Sequence, residues 1–402
     1  MTEDDRPHTD GARFRDVLAD AQFRALWLAQ LLSVLGDQVA RVALAVLVFT
    51  ETASAGLTAL TYALTFLPDL VAGPLLSGIA DRAPRRATMV VTDLLRAGLL
   101  ALMAVPGMPF WALCLLVVAG QLLAAPFAAA RAAILPHVLH GERYVVASAI
   151  SGTTYQSGQV LGFALGGPLV AVVGVPTALL ADAATFVVSA LILQYGVVEQ
   201  RATGAAHEHA RLRSGARIVA GDRRLRALVA LACVSAFVVT IEGLAAPYAA
   251  ALGGGPVAVG LLLAANPLGA ALGIVLLTRL VPPHVRNRLL GPLAVASCVP
   301  LVASALDPPL AGVLALWVLS GLFCAYQVPA NAAFVAAVPD AHRGQAFGLA
   351  VTALRVTQGL GVLLAGLLAE ITGPAPAVAA AGAVGVLVAF ACAVAWSRAR
   401  AP

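Results

Sequence analysis

The chain alternates long apolar runs with short polar connections. Twelve of the runs have the length that crosses a bilayer as a helix, about 17–25 residues or somewhat more. They lie near 23–49, 57–80, 88–105, 110–135, 145–173, 175–198, 225–251, 256–280, 289–306, 310–338, 345–370 and 376–397. One connection is long and polar, residues 199–224, and it divides the runs six and six. The pattern predicts an all-α membrane protein. A tail (1–22) precedes the first six-helix half (23–198), a linker (199–224) joins it to the second half (225–397), and a short tail (398–402) follows. The first apolar run is too long for the core of a signal peptide, so it is expected to stay in the mature protein.

The placement of arginine adds orientation. The even-numbered connections carry Arg82, Arg85, Arg86, Arg143, Arg201, Arg211, Arg213, Arg217, Arg223, Arg224, Arg286, Arg288 and Arg343. The odd-numbered ones carry no arginine, only Glu51 and Asp307, with Glu370 at an edge. Basic connections stay on the cytoplasmic side, so both termini are expected there.

The halves also repeat one another. Pro126, Pro136 and Gly141 have the spacing of Pro329, Pro339 and Gly344. Gln159 is followed by Gly162, Gly167 and Gly174, and Gln358 by Gly361, Gly366 and Gly373, at the same offsets. Duplicated parallel halves of six spans are a known transporter plan, with the substrate held at their interface near mid-membrane.

Composition removes several alternatives. The 402 residues are 60% hydrophobic and 11% charged, with a mean hydropathy of +0.91, where a soluble domain carries about 25% charged residues. All 25 basic residues are arginine, so chemistry needing a lysine, including that of an ATP-binding P-loop, is excluded. The cysteines (Cys114, Cys233, Cys298, Cys324, Cys392) fall in apolar runs without metal-site spacing and read as small core residues. No cofactor or metal is expected. The net charge of +5 is explained by the arginine-rich connections and does not point to nucleic acid.

Two stretches carry a family resemblance. Phe23-Arg24-Ala25-Leu26-Trp27 followed by Leu35-Gly36-Asp37-Gln38 resembles the opening of the macrolide-efflux and siderophore-exporter branch of the major facilitator superfamily. Residues 78–86 (GIADRAPRR) resemble that superfamily's signature loop between spans two and three, through Gly78, Asp81, Arg82, Arg85 and Arg86. Pro84 stands where the family usually has glycine. The resemblance implies a major facilitator fold and a cytoplasmic gate latch in which Asp81 faces the amino end of span eleven near Gly344. Gly158, Gly162, Gly166, Gly167 and Pro168 in span five resemble the glycine-proline motif of drug/proton antiporters, without the double glycine expected after the proline. The same glycines also suit close helix packing.

Charges inside the spans are functional candidates, because burying them in a bilayer is costly. Asp93, Arg96 and Arg131 fall toward the cytoplasmic ends of spans three and four, and with Asp81 and Arg82 they are expected to form one cluster around the signature loop. Asp37 and Arg41 share a face of span one, four residues apart, and are expected to pair. Asp69 has no charged neighbour within four positions of its own helix. Asp37 and Asp69 therefore lead Asp182 and Glu242 as candidate proton carriers. Arg355 in span eleven either neutralises one of these acids or holds an anionic substrate. Gln121, Tyr155, Gln156, Gln159, Asn266 and Gln327 add scattered polar groups among apolar ones, which suits a bulky amphipathic solute better than a sugar.

The function expected is secondary active transport by alternating access. The leading form is proton-coupled export of a drug-like, antibiotic-like or siderophore-like molecule, by a monomer in a bacterial plasma membrane. Uptake of a small organic nutrient is the alternative. No HExxH, GxSxG or Walker pattern supports an enzyme, and a sensor is expected to carry an appended soluble domain.

Overall fold

The computed structural model describes residues 14–68, 83–200, 215, 217–339 and 342–400. Of the sequence-predicted residues, Asp69, Gly78, Asp81 and Arg82 lie outside the described ones, as does most of the 199–224 linker.

The first half comprises α1 (Phe14–Ala19), α2 (Ala21–Thr52), α3 (Ala55–Ala63), α4 (Arg85–Met103), α5 (Phe110–Val138), α6 (Glu142–Val173) and α7 (Val175–Gly196). The second comprises α8 (Arg223–Cys233), α9 (Ser235–Gly243), α10 (Ala245–Ala251), α11 (Pro256–Leu280), α12 (Pro283–Val302), α13 (Leu310–Cys324), α14 (Gln327–Ala337), α15 (Arg343–Thr372) and α16 (Pro374–Arg400). Among the described residues, ten helical segments are long and apolar enough to cross a membrane. The third expected span, α4, falls outside that set because its 19 residues hold Arg85, Arg86, Asp93 and Arg96.

Helix ends follow local chemistry. Asp20 caps α2 by accepting from the Phe23 amide at 2.9 Å, and Ser54 caps α3 by accepting from the Leu57 amide at 3.0 Å. Both satisfy amides that have no partner within the helix. The repeat seen in sequence has a backbone counterpart. Gly174 joins α6 to α7 with φ +79°, and Gly373 joins α15 to α16 with φ +86°, each with ψ 165°. A side chain at either position would be strained.

The glycine repeat also predicts what each helix touches. A Cβ on Gly162 of α6 would meet Gln38 and Leu35 of α2, and one on Gly361 of α15 would meet Ala236 of α9. A Cβ on Gly167 would lie 2.6 Å from the Pro256 carbonyl at the start of α11, and one on Gly366 would collide with Ala59 Cβ of α3. In each half one long helix thus packs on the first span of its own half and on the second span of the other. Small residues permit that approach where lipid supplies no hydrophobic drive between helices.

The halves differ in continuity. The first and fourth apolar runs form unbroken helices, α2 and α5. The seventh run is interrupted at Val234 and Leu244, and the tenth between Cys324 and Gln327. The breaks are braced against each other: the buried Tyr326 hydroxyl donates to the Leu231 carbonyl at 2.9 Å.

Candidate functional site

Helices α2, α3, α4, α7, α9 and α15 bring the intramembrane charges into two adjoining groups. In the first, Arg96 Nη2 of α4 donates to Asp37 Oδ1 of α2 at 2.7 Å. Its guanidinium also lies over the Phe186 ring of α7, 4.2 Å from the centroid, a contact favoured by the ring quadrupole. Two further carboxylates adjoin this pair. Asp93, one turn before Arg96, is fully buried and accepts from Ser189 Oγ at 2.6 Å. Asp182 is 1% exposed and accepts from Thr185 Oγ1 at 3.0 Å. Asp93 Oδ1 and Asp182 Oδ2 have no hydrogen-bond partner among the described residues. Gly36 makes room for Asp182, since a Cβ there would collide with Asp182 Oδ1.

The second group crosses between the halves. The Tyr62 hydroxyl of α3 donates to Glu242 of α9, near the break in the seventh run. Arg41 lies 5.8 Å from the Tyr62 ring centroid, and Arg355 of α15 lies 5.5 Å from that of Phe66. Both guanidiniums are electrostatic neighbours of Glu242.

A cavity of about 380 Å³ opens beside both groups. Its polar lining is Asp37, Arg41, Thr65, Arg96, Gln121, Tyr155 and Arg355, and Leu44, Leu99, Leu100, Met103 and Val117 supply apolar wall. Scattered polar groups in an apolar, concave site are the usual lining for a small molecule.

Two sequence expectations change. Asp37 makes its ion pair with Arg96, not with Arg41, because Arg41 turns toward Tyr62 and Glu242. Asp93, Arg96 and Arg131 do not form one cluster. Asp93 and Arg96 join Asp37 and Asp182, whereas Arg131 donates to Gln30 and to Ser151 Oγ, tying α5 to α2 and α6. Sequence spacing within one helix gave no sign of these contacts between helices. Arg85 donates to the Ala133 carbonyl at 2.9 Å, and Arg86 pairs at 3.2 Å with Glu199, at the start of the linker. Gly158, Gly162 and Gly166 all face α2, while Gly167 meets α11. Pro168 sits within α6 one position further on.

Three participants were not singled out as site residues from the sequence. Tyr62 and Phe66 are aromatic residues in an apolar run, and only the arginines brought beside them distinguish them from ordinary core. Glu370, at the arginine-poor end of α15, accepts from the Gly56 amide at 2.8 Å and from Ser54 Oγ at 3.1 Å. That contact fastens α15 to α3 across the halves.

The sequence matches the Major Facilitator Superfamily over residues 26–307 and again over 228–402. The chain belongs to the major facilitator superfamily. It is a multi-pass membrane protein of the transporter type that this superfamily comprises. A comparison with curated protein sequences gives no match. Among solved structures, a bacterial homologue of the iron transporter ferroportin is 15% identical, with a TM-score of 0.72, covering 95% of this chain and 99% of that one. The nucleoside transporter NupG is 14% identical with a TM-score of 0.70, covering 92% and 99%. A bacterial homologue of the human lysosomal transporter Spinster is 18% identical with a TM-score of 0.65, covering 94% and 95%. At such identities the major facilitator fold is what these proteins share with the chain. Helices of the first half line the cavity, and Arg355 is the second half's contribution among the described residues.

Proposed function

We propose that this transporter is a proton-coupled secondary exporter of a bulky amphipathic solute, drug-like, antibiotic-like or siderophore-like. It acts by alternating access, as a monomer in a bacterial plasma membrane with both termini in the cytoplasm. One observation carries the coupling: Asp37 pairs with Arg96 at the cavity wall, and two buried carboxylates, Asp93 and Asp182, are electrostatic neighbours of the same guanidinium. That arrangement leaves an excess of negative charge in a low-dielectric site, and binding a proton lowers it. A carrier must be neutral in one part of the cycle and ionised in another, and a set of this kind has both states within reach. Asp69 stays a candidate carrier, and Asp81 a candidate gate latch, on sequence grounds. The glycine-proline stretch of α6, which resembles that of antiporters, supports export.

A second reading, proton-coupled uptake, is favoured by the same wall. Arg96 and Asp37 both line the cavity. A solute that drew on Arg96 would leave the carboxylates short of positive charge, so solute and proton would bind together and move the same way.

Proteoliposomes with an imposed pH gradient and a panel of fluorescent amphipathic solutes test both. Solute movement opposite to proton flow, lost in Asp182→Asn, is the expected result. Movement in the direction of proton flow establishes uptake, and full gradient-driven transport by Asp182→Asn, Asp93→Asn and Asp37→Asn alike overturns coupling at this cluster.

A further inference from the structure

The proline and glycine repeat sets Ala133 of the first half against Ala336 of the second, each three residues before a proline, Pro136 or Pro339. The two positions meet different surroundings. Arg85 is buried and donates to the Ala133 carbonyl at 2.9 Å, so an arginine of the protein occupies the space there. Ala336 instead lines an open groove of about 330 Å³ between α11, the start of α12 and α14. Small side chains leave that space. Val328, Ala332, Ala333 and Ala336 run about 12 Å along α14, and the alanines are too short to close on Ile274 and Leu277 of α11. One end of the groove is polar and firmly built. Arg286 Nε donates to the Val281 carbonyl and Nη2 to the Thr278 carbonyl, both at 2.9 Å, taking up acceptors left free where α11 ends. Those acceptors are neutral, so they orient the guanidinium without cancelling its charge. Trp396 Nε1 of α16 donates to the Asn287 carbonyl at 3.0 Å and fixes the next residue. Arg279, in the last turn of α11, and Arg288, in the second turn of α12, add positive charge at the same helix ends. No acid lines the groove among the described residues, and it shares no residue with the cavity of about 380 Å³.

We propose that this groove binds one anionic phospholipid of the cytoplasmic leaflet, with its phosphate at Arg286 and Asn287 and one acyl chain along α14. The proposal rests on the cytoplasmic placement of the connection between α11 and α12, which belongs to the functional reading above. Guanidinium pairs with phosphate oxygens through charge-assisted hydrogen bonds in a fixed plane. The amino end of α12, a helix of 20 residues, turns its free N–H groups and positive dipole end to the same place. Basic pockets between spans on the cytoplasmic side suit anionic headgroups. The aliphatic wall selects a lipid over free phosphate, because an acyl chain laid there removes apolar surface from water. Val328 is exposed, which leaves the groove open to a chain from the bilayer. The groove also reaches Ala325, in the break of the tenth run. A bound chain would brace that break, doing for α14 what the Arg85 side chain does for α5.

The test uses the purified full chain in detergent, with native mass spectrometry reading lipid adducts against lipid concentration. Dioleoyl phosphatidylglycerol is compared with dioleoyl phosphatidylcholine, and glycerol phosphate serves as a headgroup without chains. The expected result is one phosphatidylglycerol held about tenfold more tightly than phosphatidylcholine, the range of one charge-assisted contact. Glycerol phosphate in large excess should not displace it. Arg286→Gln should reduce the preference to less than about twofold. That change also frees two carbonyls of α11, so Ala333→Leu is measured beside it. The added side chain fills the groove, leaves every charge in place, and should weaken phosphatidylglycerol several-fold. Arg398→Gln, at an exposed arginine outside the groove, should change nothing. A phosphatidylglycerol with a diazirine in its acyl chain should crosslink to residues 328–336. Equal binding of the two lipids overturns the proposal. So do a preference that survives Arg286→Gln, binding unchanged by Ala333→Leu, crosslinks confined to other helices, or displacement by glycerol phosphate. A groove filled by another segment of the chain would take neither lipid, which overturns it as well. Binding in detergent needs no solute, gradient or sidedness, so failure of this proposal and failure of the transport reading are separate results.

Discussion

The two halves share a skeleton and divide the chemistry unequally. Gly162 and Gly361 pack on the first span of their own halves, and Gly167 and Gly366 on the opposite half. Gly174 and Gly373 turn the chain with nearly the same dihedrals. Yet Asp37, Asp93, Asp182, Arg41, Arg96 and Arg131 all lie inside the first half, whereas Glu242 and Arg355 are the second half's share of this charge. Duplication kept the positions at which helices must approach closely, because a side chain there collides with its neighbour. It left the cavity-facing positions free to diverge. The comparison teaches that the intramembrane charges fall into neighbouring but distinct sets, one within the first half and one across both halves.

That division can be broken by substitution. The largest effect is expected from neutralising a buried acid of the first half. Asp182→Asn should abolish gradient-driven transport in proteoliposomes while Glu242→Gln leaves it coupled, and the reverse outcome would move coupling to the second half. Next comes Arg96→Gln, which strands three carboxylates; breaking a buried pair of this kind costs about 3–5 kcal/mol. With Asp37 32% exposed to the cavity, the lower end of that range applies. Thermal unfolding in detergent should show the loss, and Arg96→Gln/Asp37→Asn should recover part of it.

Substituting the shared glycines sharpens the comparison from the other side. Gly167→Val and Gly366→Val each force a side chain into the opposite half, and overpacking of that sort costs about 1–3 kcal/mol. If the two contacts are equivalent, double electron-electron resonance on labelled outer ends should show both variants opened by similar distances. The smallest effect is expected from Glu370→Gln, which weakens an exposed contact with Ser54 and Gly56 worth about 1 kcal/mol. The same distance measurement should show a modest shift toward the open form, without change in solute affinity.

Much of this architecture was legible in the amino-acid order. Apolar run length and the glycine and proline spacing are properties of single segments, and both survive folding: Gly174 and Gly373 adopt matching turns. The charges were legible as candidates because aspartate and arginine are rare in apolar runs. Their partners were not. Asp37 and Arg41 share a helix face, so spacing alone pairs them, but Arg96 arrives from α4 and takes the carboxylate. Depth along its own helix assigns Asp93 to a cytoplasmic cluster, but that depth says nothing of Ser189 on another helix. Tyr62 carries no signal at all without the opposing Glu242.

The interruptions in the seventh and tenth apolar runs have a mechanical meaning. A continuous helix of 32 residues, such as α2, is a stiff rod, and a span cut into pieces of 11, 9 and 7 residues is a jointed one. The seventh span therefore carries joints that α2 lacks, and Glu242 rides within a turn of one of them.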